Sequence, residues 1–167
     1  SKSINSIGKN STGVICMIAY RISNTRYSDD ISGTGAKLYG ARWNSVGVPM
    51  LYTAEHISLA VLEMLVNTHF NDYNIALDLV YIQLPDAIPT TEIKLVKLKD
   101  NWQEDVAYTR FIGDEFIKQN NTPLLKVPSA IIKEEHNFLA NPLHTDFKKI
   151  KIQQSISFWP DKRLFSI

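Results

Sequence analysis

The sequence predicts an α+β fold in a single domain. Runs of strand character dominate it, only two or three helical stretches interrupt them, and the connections are too varied for a regular βαβ wind. At 167 residues the chain is long enough for one domain with a proper core and too short for two comfortable ones. It shows no internal repeat and no long linker.

The elements follow in order. Residues 1–16 begin SKSINSIGKNSTG, polar and without usable periodicity. They read as a leader or cloning remnant outside the fold, leaving a domain over 17–167 and Met17 as a candidate natural start. Val14 to Ile22 is apolar and partly β-branched, a first strand ending at Tyr20-Arg21. Ser23 to Gly35 carries Asn, Ser, Asp and Gly, as a surface loop would. Gly40 and Gly47-Val48-Pro49 punctuate the loop that carries Arg42. Met50-Leu51-Tyr52 is a short strand bounded by turn residues.

A helix follows, with Thr53 as its expected N-cap and Glu55 in its first turn. Ile57, Val61, Met64 and Leu65 form one apolar stripe, and Leu59, Leu62 and Val66 a second. Two such stripes predict a mostly buried helix, and Glu63 sits inside the second. A buried carboxylate takes up a proton or finds a cation, for which Arg21 and Arg42 are the candidates. The plainer alternative is that Glu63 lies at the edge of the stripe and reaches water.

Ile75 to Leu84 is the best strand, with Ile75, Leu77, Leu79 and Tyr81 on one face, and Pro85 and Pro89 end it. Ile93, Leu95 and Lys97-Leu98 suggest a weaker strand. Asp100 can cap a helix from about Trp102 to Gln119, with Tyr108, Phe111, Ile112 and Phe116 as its buried stripe. Leu124 to Val127 and Ala130 to Lys133 read as short strands broken by Pro128-Ser129. Phe147 to Phe158 and Arg163 to Ile167 read as closing strands.

Composition narrows the function. With 44% hydrophobic and 21% charged residues the chain is of the soluble globular kind. A net charge of +1 gives no electrostatic footprint for nucleic acid. The single Cys16 excludes an internal disulfide framework and fits a reducing, cytoplasmic setting. No apolar run approaches the roughly 20 residues of a membrane span, and no secretion signal opens the chain. His56, His69, His136 and His144 match no ligand spacing, so no metal is expected. There is no GxGxxG and no Walker loop, so any phosphate would be held by arginine. Cys16 lies in an apolar strand, where a thiol is usually inert.

What remains is a polar set in apolar surroundings: Arg21, Arg42, Tyr52, Glu63 and Ser129. Each has a bland reading, the arginines as surface charges, Tyr52 as a core residue with a wet hydroxyl, Ser129 as a turn residue. Asn137, Asn141-Pro142 and His144 form one more polar cluster, by itself only a loop.

Five segments, AYR (19–21), GARWN (40–44), LYTAEHISLAVLEML (51–65), GDEF (113–116) and VPSAIIKEEHNFLANPLHTDF (127–147), together resemble the RES domain, a family named for its Arg, Glu and Ser. They come in the family's order and cover most of Ile18 to Ile150; the PSAI followed by N…NP.H is the most specific. The resemblance implies a fold similar to the ADP-ribosyltransferase catalytic core, with mixed central sheets and a few flanking helices. It implies a toxin of a bacterial toxin–antitoxin pair that depletes NAD by breaking its nicotinamide–ribose bond, with water or phosphate as acceptor. NAD is then the substrate, and no cofactor is implied. The implied partner is an Xre-type helix-turn-helix antitoxin covering the active-site cleft, with homodimerisation inside that complex left open. By motif position the catalytic residues fall on Glu63, Arg42 and Tyr52, and the NAD-binding ones on Arg21, Arg42, Tyr52, Ser129 and Asn137.

The chemistry is coherent with that set. Nicotinamide leaves NAD⁺ as a neutral group, so no general acid is needed, and the barrier lies in the positive charge that develops on the ribose. One carboxylate near the ring carbon, Glu63, can stabilise that charge, more effectively among apolar walls than in water. Arg21 and Arg42 suit a pyrophosphate. Tyr52 suits packing on nicotinamide or ribose, and Ser129 a hydrogen bond to the amide or a ribose hydroxyl. Two other functions fit the same residues: a mono-ADP-ribosyltransferase acting on a protein, and a non-catalytic module that binds a nucleotide or an antitoxin.

Overall fold

A computed structural model describes residues 7–9, 15–67 and 75–165. The chain forms two compact units, one of Ser1–Asp29, Thr53–Ala87 and Lys149–Ile167, the other of Asp30–Tyr52 and Ile88–Lys148. The strands include both antiparallel and parallel pairs, and helices are few, so the α+β expectation holds.

The first unit is organised by a ten-residue strand, β2 (Ile15–Asn24). It pairs along its length with β4 (Leu77–Pro85), from Cys16 opposite Pro85 to Asn24 opposite Leu77, and touches β3 (Leu51–Ala54) at Tyr20 and Ala54. β8 (Lys151–Phe158) pairs with the other side of β4, with a bulge at Tyr81/Ile82. β4 is therefore interior to the sheet. Leu79, Val80, Ile82 and Leu84 are all buried, so the strand is covered on both faces rather than on the one that Ile75, Leu77, Leu79 and Tyr81 would form. Each such side chain contributes about 1.5–3 kcal/mol of hydrophobic burial. Cys16 is buried in β2, as its apolar neighbours predict.

Ile7–Lys9 form a strand, β1, opposite Ile15–Met17, so backbone hydrogen bonding recruits part of the polar leader that side-chain patterning passes over.

α2 (Ile57–Asn67) packs against β2. It starts later than expected. Thr53 is a buried strand residue rather than its N-cap, and Glu55 precedes its first turn. Only Leu59 and Ala60 are fully buried on it, and Val66 is 62% exposed. The second apolar stripe thus runs from buried Leu59 to exposed Val66, and Glu63 beside it is half-buried.

The second unit closes around Trp43, Met50, Leu98, Trp102, Phe116, Ile117, Leu125, Val127 and Leu139. The rings of Trp43 and Trp102 lie 5.9 Å apart, so the loop bearing Arg42 is anchored in this core by its neighbour. β6 (Leu124–Pro128) runs parallel to β5 (Thr90–Glu92) and antiparallel to β7 (His136–Ala140). The expected strand at Ala130 to Lys133 is instead the turn between β6 and β7, and Leu95–Lys97 is a short 3-10 helix. A short helix α1 (Thr34–Tyr39), not legible as such, precedes the Arg42 loop. Thr145–Lys149 and Lys162–Phe165 are 3-10 turns rather than strand; the last two residues of the expected closing strand lie outside the described residues.

α3 (Val106–Gln119) begins four residues after the expected start, because Asp105 and not Asp100 caps it: its Oδ1 accepts from the Tyr108 N–H at 2.9 Å. The buried face is Thr109, Gly113, Phe116 and Ile117, while Phe111 is 66% exposed. The stripe is rotated: Phe116 stays buried, while Thr109 and Gly113 rather than Phe111 face the unit.

Two carboxylates make this fold acid-sensitive. A hydrogen bond from Lys99, reinforced by the helix N–H of Tyr108, holds the Asp105 carboxyl below the usual carboxylate range. The hydroxyls of Ser28, Thr25 and Ser155 do the same for Asp78 on β4. Because both folded values are depressed, the stability they contribute is fully present above the unfolded value of about 3.9 and is lost as pH falls through the folded one. The expected result is a urea midpoint that falls from about pH 4 downward, with a shallower fall in Asp78→Asn. An acid limb identical in the two proteins would remove Asp78 from this account.

Candidate active site

In the second unit Arg42 lies on the loop between α1 and β3, and Tyr52 on β3 itself. Gly40 ends α1 at φ +68°, a left-handed conformation that favours glycine, and its N–H reaches the Ala36 carbonyl. The following turn is closed by the Ala41 N–H on the Asn44 carbonyl, 3.0 Å.

α3 then holds this loop residue by residue. Arg110 Nε donates to the Ala41 carbonyl (2.8 Å), and Thr109 Oγ1 donates to the Arg42 carbonyl (2.7 Å). Gly113 lies so close to Trp43 that a Cβ there would stand 1.7 Å from its carbonyl oxygen. Asp114 Oδ1 accepts from the Ser45 N–H at 2.9 Å. Thr109 with Gly113 and Arg110 with Asp114 are pairs four residues apart, so one helix face makes all four contacts.

Asn44 and Tyr52 hold the loop from within. The Asn44 amide, fully buried, donates to the carbonyls of Ala36, Ser45 and Val48 and accepts from the Tyr52 hydroxyl at 2.8 Å. The same Tyr52 oxygen accepts from the Trp43 N–H at 3.0 Å. A buried amide with its polar atoms engaged specifies one geometry, because leaving any of them unmet costs about 1–3 kcal/mol. The Tyr52 hydroxyl therefore shapes the loop.

Arg42 is the charged product of this arrangement. Its Nη1 donates to the Gln103 carbonyl at 2.8 Å, and it makes no ion pair among the described residues. A carbonyl orients a guanidinium without neutralising it, so the half-buried cation keeps its charge and most of its donor fork.

Ser129 is fully buried just beyond β6. Its Oγ accepts from the N–H groups of Ile131 (3.0 Å) and Ile132 (3.2 Å), and its own N–H donates to the Glu135 carbonyl. That geometry is a hydroxyl-pinned turn. Asn137, on β7 opposite Val127, is nearly buried beside it in the sheet register. Asn141 and His144 stay structural. Asn141 bonds Asn120 at the end of α3 and caps its own turn through Leu143, while His144 Nδ1 accepts from the Asp146 N–H.

The first unit holds the other two candidates. Arg21 on β2 lies opposite Val80, and its Nη2 donates to Ser23 Oγ at 3.1 Å. Glu63 lies on α2, the helix that packs on the same strand, and its backbone carbonyl accepts from Asn67. The six predicted residues thus divide as Arg21 and Glu63 in one unit, and Arg42, Tyr52, Ser129 and Asn137 in the other.

Sequence reasoning assigned no role to Asn44, Gln103, Thr109, Arg110, Gly113 or Asp114. Asn44, Gly113 and Asp114 lay within the GARWN and GDEF segments, whereas Gln103, Thr109 and Arg110 lay in none.

The fold matches a chain of the M. tuberculosis MbcT-MbcA toxin-antitoxin complex, with a TM-score of 0.72 at 19% identity over 92% of this chain and 88% of that one. The architecture is therefore shared with that chain. At the sequence level the chain is 38% identical to Toxin Res of Photorhabdus laumondii subsp. laumondii over 155 residues, 89% of this chain and 97% of that protein. It is 37% identical to Toxin Res of Pseudomonas putida over 151 residues, 89% of this chain and all of that protein. A Sphingobium protein named Prs ADP-ribosylating toxin is 38% identical over 148 residues, 85% of this chain and 91% of its own. The RES domain matches residues 18–161, and the chain belongs to the RES domain family.

Proposed function

We propose that this RES protein is the toxin of a bacterial toxin–antitoxin pair and depletes NAD by breaking the nicotinamide–ribose bond. The observation that carries the reading is Arg42, a half-buried guanidinium oriented by a carbonyl and left unneutralised among the described residues. Such a group suits a polyanionic substrate such as the pyrophosphate of a dinucleotide. In the proposed reaction the bond between the ribose carbon and the nicotinamide nitrogen breaks, and nicotinamide leaves neutral with the electron pair. The Glu63 carboxylate stabilises the cationic ribose, and an oxygen of water or phosphate then bonds to that carbon and releases a proton. By motif position Arg42 and Arg21 are assigned to phosphate, the Tyr52 ring to the sugar or nicotinamide, Ser129 to a hydrogen bond with the amide or a ribose hydroxyl, and Asn137 to NAD binding. The partner is an antitoxin of the Xre type, and the pair acts in the bacterial cytoplasm.

The name of the Sphingobium relative favours a second reading, transfer of ADP-ribose onto a protein. Incubation with NAD, with and without phosphate, separates the readings. Free ADP-ribose marks a hydrolase, its 1″-phosphate a phosphorylase and labelled protein a transferase. NAD left intact in every arm would leave only a binding module.

Arg42→Ala is expected to raise KM for NAD about tenfold, roughly 1.4 kcal/mol, with kcat changed less. Steady-state NAD consumption reads this, and a normal KM with a collapsed kcat would move Arg42 into transition-state stabilisation.

A further inference from the structure

We propose that Gln103 is a positioning residue that ties the guanidinium of Arg42 to the Ser129 turn, so that the two are set in one arrangement. Arg42 makes its guanidinium hydrogen bond to the main-chain carbonyl of Gln103, 61 residues away. The same residue's side chain donates through Nε2 to the Ala130 carbonyl at 3.0 Å, a further 27 residues on. Ala130 follows Ser129, whose Oγ holds the Ile131 and Ile132 N–H groups, and it packs on the Trp43–Trp102 core. One glutamine therefore joins two segments that the sequence keeps apart, with its backbone facing the cation and its amide facing the turn.

The residue sits in the turn before α3, and that turn has supports of its own. Trp102 is buried in the core, the Glu104 N–H donates to the Asn101 carbonyl, and Asp105 caps the helix. Removing the Gln103 amide leaves these in place, so the fold should survive. What is lost is the lateral restraint on the carbonyl that aims Arg42. A guanidinium free to swing must be ordered again on each binding event, which weakens substrate capture more than the chemical step.

This proposal rests on the NAD-cleaving reading for its kinetic test but not for its structural one. Gln103→Met keeps the side-chain length and removes the donor. The expected result is a KM for NAD raised about fivefold, kcat within about twofold, and a melting temperature within ~2 °C of the parent. If Gln103 acts through Arg42, the double variant Gln103→Met/Arg42→Ala has the KM of Arg42→Ala alone. An unchanged KM in Gln103→Met, or effects that multiply in the double variant, would overturn the coupling. The second measurement needs no turnover: hydrogen exchange at the Ile131 and Ile132 amides, without NAD, should quicken in Gln103→Met. Unaltered exchange there overturns the proposal, whereas quickened exchange in a protein that leaves NAD intact retains the coupling and removes the NAD reading.

Discussion

Gly113→Ala should lower the stability of this protein by about 3 kcal/mol or more, although alanine is the better helix former. Helix propensity alone predicts the opposite sign, a gain of about 0.5–1 kcal/mol for glycine replaced within a helix. Sterics decide the matter. The new methyl would stand 1.7 Å from the Trp43 carbonyl oxygen and 2.7 Å from its carbon, both backbone atoms that no rotamer change can withdraw. Helix and loop must separate by more than an ångström. That motion would strain the Thr109, Arg110 and Asp114 hydrogen bonds to Arg42, Ala41 and Ser45 together and pull Trp43 from its place against Trp102. Urea unfolding reads the loss directly, and a variant within about 1 kcal/mol of the parent would show that the helix–loop contact is not the constraint described here. Any folded remainder should also bind NAD poorly, because Arg42 rides on the displaced loop.

Glu63→Gln should keep the fold and reduce NAD consumption by on the order of 10³-fold, equivalent to about 4 kcal/mol of transition-state stabilisation. The swap preserves shape and removes the charge. Its structural effect is small because Glu63 is half-buried on α2, whose fully buried residues are Leu59 and Ala60. The catalytic effect is large because a neutral amide cannot stabilise a ribosyl cation as a carboxylate does. The two measurements are the rate of NAD loss and the urea midpoint of the same preparation. A parental rate would sink the proposed mechanism, and a lost rate with a collapsed midpoint would assign Glu63 to the fold instead.

Much of the framework was legible beforehand because its signals are local. Hydrophobic runs located β2, β4 and β6 to within about two residues at most ends, since a buried strand leaves a continuous apolar trace. The start of α3 was misplaced for an equally local reason. Both Asp100 and Asp105 are acceptable caps, and only the structure chooses Asp105, whose carboxylate meets the Tyr108 N–H and Lys99. The Ala130 to Lys133 stretch looks like strand by composition, yet the buried Ser129 hydroxyl captures two of its N–H groups and bends it.

The candidate residues were named by motif, and a motif says nothing of the contacts their side chains make within the fold. The hydroxyl of Tyr52 bonds Trp43 and Asn44 and so also shapes the Arg42 loop. The hydroxyl of Ser129 also holds the turn after β6.

By itself the sequence determined the α+β class, the family, and which arginines, glutamate and serine are candidates, because those depend on residue type, order and short-range period. Tertiary structure alone decided that a helix face of Thr109, Arg110, Gly113 and Asp114 would grip the Arg42 loop, and that Gln103 would join that loop to the Ser129 turn. Such contacts span tens of residues and are made largely to backbone carbonyls and N–H groups, which every sequence possesses and none advertises.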